Sequence, residues 1–142
     1  MCIWDFNSAC NNYIDDLVNP EAFQLQNNVW YYMLTKDERF VQAAIDRYRE
    51  LRTSWLSDAY LDHYIDEVVA WLGPAVDRNF EAWPGNFSEY RPMTPDDRNP
   101  DNYESALGQL KGFCFRRGEW MDENMDILLQ YCHESRVKKF NH

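Results

Sequence analysis

A chain of 142 residues with 24 acidic against 14 basic side chains carries a formal net charge of −10, which excludes the clustered Lys and Arg that a phosphate backbone or an anionic membrane surface requires. The length suits one domain, residues 1–142, with room for a core. A 16% aromatic content beside a mean hydropathy of −0.69 places aromatics between helices first, and on a surface or groove second. No nucleic-acid and no membrane partner is expected, whereas a basic peptide or a divalent cation is electrostatically acceptable.

Residues 1–19 form an extended, loop-rich opening. Cys2-Ile3-Trp4 and Phe6 make a short apolar run broken by Asp5, suited to a strand end or the lead into a loop, and Asn7-Ser8 and Asn11-Asn12 are turn formers. No basic n-region and no apolar h-region precede them, so a soluble, cytoplasmic chain is expected. Residues 20–83 read as helices. Asn19 is placed to cap a helix with Pro20 in its first turn. Val29, Trp30 and Met33 share a helical face. Thr35, followed by Lys36-Asp37-Glu38, opens a helix over about 36–52 that buries Phe40, Val41, Ala44, Ile45, Tyr48 and Leu51. Ser57-Asp58 opens the next, whose stripe is Tyr60, Leu61, Tyr64, Ile65, Val68 and Leu72. Asp58, Asp62, Asp66 and Glu67 lie off that stripe and read as a solvated face, with metal binding as the lesser alternative. Gly73-Pro74 stops or kinks this helix, and residues 75–83 continue helically.

Residues 84–100 are an irregular, Pro-rich loop with four of the six prolines. Asn99 and Pro100 are placed to cap and start a long helix over 101–132, because Leu107, Leu110, Cys114, Gly118, Met121, Met125, Leu128 and Cys132 are spaced 3, 4, 4, 3, 4, 3 and 4. Such a helix is roughly 45 Å long at 1.5 Å per residue. Gly108, Gly112 and Gly118 each cost about 1 kcal/mol inside it, and Gly108 with Gly112, one turn apart, would permit close helix contact. Asp122, Glu123 and Asp126 read as solvated. Residues 133–142 form a basic tail with Arg136, Lys138 and Lys139. The fold class is mainly α: a bundle of four or five helices around one long C-terminal helix.

Motif chemistry is sparse. There is no GxSxG, P-loop, HExxH, Gly-rich nucleotide fingerprint or EF-hand loop. His63, His133 and His142 lack ligand spacing, so zinc is not expected. Cys2, Cys10, Cys114 and Cys132 form no CxxC pair and read as reduced, mostly buried thiols. Asp5 and Asn7 remain. On spacing alone, Asp5 reads first as a plain surface carboxylate; second, a carboxylate on a strand-to-loop turn followed by an inward aromatic can aim Mg²⁺ at nucleotide phosphates, with Asn7 adding an amide oxygen.

Trp4-Asp5-Phe6-Asn7 followed by Asn12-Tyr13 resembles the metal-binding segment of the CotH family, the spore-coat-protein-H-like atypical protein kinases. Leu51-Arg52, Tyr64-Ile65-Asp66-Glu67, Ala75, Arg78-Asn79-Phe80, Trp83, Leu110-Lys111, Arg117 and Trp120-Met121-Asp122 follow in the family's order. The resemblance implies the C-terminal helical part of a kinase-like fold that phosphorylates serines of spore-coat proteins with ATP. It implies Mg²⁺ and ATP as cofactors, with Asp5 in the role of the DFG-loop aspartate. Asn7 stands where many relatives carry a second Asp. The family's nucleotide-binding lobe and catalytic-loop Asp precede this segment. This chain alone is therefore expected to be inactive and to hold neither cofactor tightly, and its partners are the missing lobe or a protein substrate. Apolar surface made to face that lobe implies a homodimer. The rival expectation is a non-catalytic helical interaction module using Trp30, Tyr31, Tyr32 and Trp83.

Overall fold

A computed structural model describes residues 8–15, 19–23 and 29–134. Among the described residues five α-helices follow in order: α1 Val29–Leu34, α2 Glu38–Arg52, α3 Asp58–Leu72, α4 Ala75–Ala82 and α5 Tyr103–Asn124. Two 3-10 turns, Asp96–Arg98 and Met125–Tyr131, complete the set. No strand occurs among these residues, and one parallel bridge pairs Asp37 with His133. The mainly helical fold with a long C-terminal helix is thus as the periodicity requires. Candidate basic residues Arg136, Lys138 and Lys139 lie outside the described residues.

The core sits where the start of α2 meets the end of the long helix. Val41 and Ile45, four apart on α2, are fully buried against Met125, and Phe23, Tyr48, Met121, Leu128, Leu129 and Cys132 close around them. Burying each such aliphatic side chain contributes about 1.5–3 kcal/mol. The rest of the expected α2 and α3 stripes is only partly covered. Phe40, Tyr64, Val68 and Leu72 are exposed, as are Trp30 (80%) and Trp71 (81%).

Caps fall differently from the sequence expectation in three places. Asp37, not Thr35, caps α2: its extended backbone lets the carboxylate accept from the Phe40 N–H at 3.0 Å, where an anion also meets the positive helix end. The Thr35 hydroxyl instead donates to the Tyr32 carbonyl at the end of α1. Likewise Asn102, not Asn99, caps α5, in a reciprocal box with Ser105. Asn99 is buried and ties the preceding loop, its amide donating to the Met93 carbonyl and accepting from the Met93 N–H. Asn19 accepts from the Glu21 N–H in a turn rather than opening a helix. Ser57 caps α3 as expected, and Gly73, at φ +47°, ends it before Pro74 starts α4.

The long helix is α-helical for 22 residues and then tightens without a gap into the 3-10 segment. At the junction, the Asn124 side chain takes the Trp120 carbonyl at 2.8 Å. The close-approach glycine is Gly118. A Cβ there would lie 2.7 Å from the Arg52 guanidinium, whereas one on Gly108 or Gly112 would meet nothing within 4 Å. Among the described residues, then, no neighbouring element makes the close contact that Gly108 and Gly112 would permit. Among the described residues, no helix is long and apolar enough to cross a membrane.

Candidate functional site

Asp5 and Asn7 lie outside the described residues. The chain just after them is described, and it is fastened to the loop that precedes α5. Arg98 is the fastener: one guanidinium nitrogen donates to the Asn11 carbonyl (3.1 Å) and to its side-chain oxygen (2.7 Å), and the other to the Tyr13 carbonyl. Thr94 adds two bonds to the Ile14 carbonyl, from its N–H at 3.0 Å and its hydroxyl at 3.1 Å. Cys10 and Asn11 both take positive φ, 56° and 61°, a conformation that side chains other than glycine rarely adopt. Their loop is bent back on itself, with the Asn12 N–H donating to Ala9.

Beside this loop opens a cavity of about 750 Å³. Its walls are the N-terminal loop, residues 93–100 and the first half of α5, with Cys10, Asn11, Arg98, Gln109, Phe113 and Arg116 on its lining. Next to it, Arg117 reaches back from α5 to the Pro20 and Ala22 carbonyls and stacks over Trp120. Burial pulls this guanidinium below its ordinary pKa.

A second constellation ties the helices together. Arg52, in the last turn of α2, forms a forked pair with Asp122 of α5 through Nε and Nη2, at 2.8–3.0 Å. Its Nη1 donates to Asp58 at 2.7 Å and to the Leu56 carbonyl at 2.6 Å. The Tyr48 hydroxyl donates to Asp122 at 2.8 Å and to the Gly118 carbonyl at 3.0 Å. Bonds from Arg52 hold the Asp122 carboxyl below the usual range, and burial followed by the Asp122 bond pushes the Tyr48 phenol up. The aspartates read as solvated do stay about half exposed, but each of them also has a cationic partner. Asp122 and Asp58 share Arg52, Asp126 takes Arg49 at 2.7 Å, and Asp62 and Asp66 flank Lys111 of α5 at 2.7 and 2.6 Å. Face position could be read from the sequence; the cation opposite it, some 70 residues away, could not.

The family model for CotH kinase proteins matches residues 1–121. The chain belongs to the CotH kinase family. Comparison with curated proteins and with solved structures gave no match. The CotH match covers Asp5 and Asn7, the fastened loop, α1–α4 and most of α5. Several of the residues that carry the CotH resemblance brace one part of the fold to another: Arg52 with Asp122 and Asp66 with Lys111 between helices, and Arg117 between α5 and the Pro20 and Ala22 carbonyls. Phe80 packs on Phe87 and Tyr103, joining α4 to the start of α5. Sequence reasoning missed Arg98; only the turn-forming Asn11-Asn12 hinted that the loop is bent.

Proposed function

We propose that this chain supplies the helical portion of a CotH-type protein kinase, a class that transfers a phosphoryl group from ATP to serines of spore-coat proteins, with Asp5 as its Mg²⁺ ligand and Asn7 as a minor one. The observation that carries this reading is the family match running unbroken from the Asp5 segment into the helices. The donor chemistry fits: a carboxylate and an amide supply hard oxygens of the kind Mg²⁺ takes. Among the described residues no group of three or more His, Cys, Asp or Glu is placed to hold a metal, so the metal role rests on Asp5 and Asn7. Bound Mg²⁺ would supply neutralisation of ATP phosphate charge. This chain's own contribution is to fasten the polypeptide that follows Asn7, through Arg98 and Thr94. It offers no Gly-rich phosphate cradle, so a nucleotide-binding lobe must come from outside these residues, and the chain alone is catalytically silent.

The test is thermal unfolding with millimolar Mg²⁺-ATP. A small rise in Tm that requires Mg²⁺ and is lost in Asp5→Ala supports the reading. An equal rise in Asp5→Ala removes Asp5 from the metal role, and no rise in either protein favours the interaction module or a site that needs the nucleotide-binding lobe. A second reading, a helical module that binds a partner protein through aromatics, draws on the exposure of Trp30, Tyr32 and Trp83. It predicts no nucleotide response and, in sedimentation, self-association or partner binding that Trp30→Ala weakens.

A further inference from the structure

α3 turns most of its charge toward α2 and α5 and its aromatics outward. Asp58 is held by Arg52 of α2, and Asp62 and Asp66 by Lys111 of α5. No Lys or Arg occurs in the helix. At about 100° per residue, Ala59, Tyr60, His63, Glu67, Ala70 and Trp71 fall within an arc of about 120° on the outward side, over roughly 18 Å of helix. All but the half-buried Tyr60 are exposed, Trp71 the most. This side presents aromatic and small side chains with one carboxylate, Glu67, whose Oε1 lies 3.3 Å from the His63 Nε2. The aromatics are held in a row, with Trp55 edge-on to Tyr60 at 5.1 Å and Tyr60 stacked on Tyr64 at 6.1 Å.

We propose that a second copy of this chain seats on the outward side of α3, forming an antiparallel, two-fold pair of α3 helices. The face is complementary to itself about an axis at the level of Ile65, where residues equally far above and below that level meet. His63 and Glu67 lie two positions to either side of Ile65, so each Glu67 meets the His63 of the other copy. On one flank Tyr60 comes level with Trp71 of the second copy, and on the opposite flank Ala59 comes level with Ala70. Small side chains on one flank let the helices approach while aromatics pack on the other. Charge selects this occupant. A net charge of −10 opposes self-association elsewhere on the surface, whereas here three aspartates are turned to Arg52 and Lys111, and the one outward carboxylate is matched by an imidazole. One helix face from each copy is smaller than a standard interface, which takes roughly 20–30 residues a side, so the pair is weak and concentration-dependent. This pairing uses neither Asp5 nor Asn7 and is independent of the kinase reading. It also differs from a module built on Trp30, which lies on α1.

The experiment is sedimentation of the intact chain over a concentration series from micromolar to near-millimolar. The expected result is a weight-average mass that climbs from 17.1 kDa toward twice that value. Trp71→Ala should weaken association by about tenfold or more, with an unchanged Tm because this side chain is exposed in the monomer. Glu67→Lys should also weaken it, since a cation then replaces the carboxylate that His63 of the second copy meets. His63→Glu combined with Glu67→Lys should restore association, because the exchanged charges meet again across the two-fold. Trp30→Ala should leave the pair intact. A chain that stays monomeric throughout, a dimer untouched by Trp71→Ala or by Glu67→Lys, or one lost in Trp30→Ala would overturn the proposal. So would a double variant that fails to restore association, since the antiparallel register is part of it. If one single variant fails to fold, the other and the wild-type series decide the matter.

Discussion

The two halves of α5 are held by different physics. The second half carries Gly118, Met121, Asp122 and, just beyond, Met125; it lies hard against α2, with the Arg52 guanidinium 2.7 Å from where a Gly118 Cβ would sit and Met125 buried on Val41 and Ile45. The first half carries Gly108 and Gly112 in open space, lines the cavity, and reaches α3 through Lys111 and its two aspartates. One half is a packed joint in which one guanidinium is bonded at several points; the other is an open wall braced by one lysine between two aspartates, of similar exposure. A glycine therefore has opposite meanings ten residues apart: close approach in one case, unfilled helix in the other.

Breaking the packed joint should have the largest effect. Arg52→Ala removes the forked pair and leaves Asp122, Asp58 and the Leu56 carbonyl without their donor. Urea unfolding should show a loss of about 3 kcal/mol, the upper range for charge-assisted bonds. Gly118→Ala should follow, with a net loss of about 1–2 kcal/mol, because the gain in helix propensity is outweighed by displacing a guanidinium held at several points. The same substitution at Gly112 should change sign. Thermal unfolding of Gly112→Ala should show a gain of about 1 kcal/mol, because nothing lies within 4 Å of the new methyl. A loss at Gly112 would erase the contrast between the halves.

Acid titration sharpens the comparison. The folded Asp122 pKa is depressed by Arg52, so its contribution is complete above about pH 4, the ordinary Asp value, and is lost as pH falls from there through the lower folded value. Stability measured between pH 6 and about pH 2 should fall less steeply in Asp122→Asn than in wild type. The smallest effect should be Lys111→Met, which unpairs Asp62 and Asp66 at the open half. Its drop in Tm should be well below that of Arg52→Ala and should shrink in high salt.

Much of the helical frame was legible because its signals are local. The Ser57 cap, the Gly73-Pro74 break and the long 3-4 spacing beyond Leu107 each depend on neighbours within a turn or two. Competing local signals misled: Thr35 and Asn99 have the right chemistry for caps, but Asp37 and Asn102 lie next to the first helical residue and win the N–H groups. The ion partners were illegible for another reason. Periodicity assigns Asp62, Asp66 and Asp122 to a face, yet says nothing of Arg52 or Lys111 across a gap of tens of residues, nor of Arg52 reaching Asp58 past the intervening turn. For the candidate site, Asp5 and Asn7 were singled out by chemistry and family resemblance; they fall within the residues that match the family and outside the described ones. The fastening of their downstream loop by Arg98 follows only from the fold.

Arg52 carries one further consequence. A single guanidinium holds the end of α2, the start of α3 and the end of α5, so no one of these three can open without releasing the other two. In hydrogen exchange their amides should behave as one cooperative unit with a shared opening free energy, while α1, which buries no residue, exchanges ahead of them.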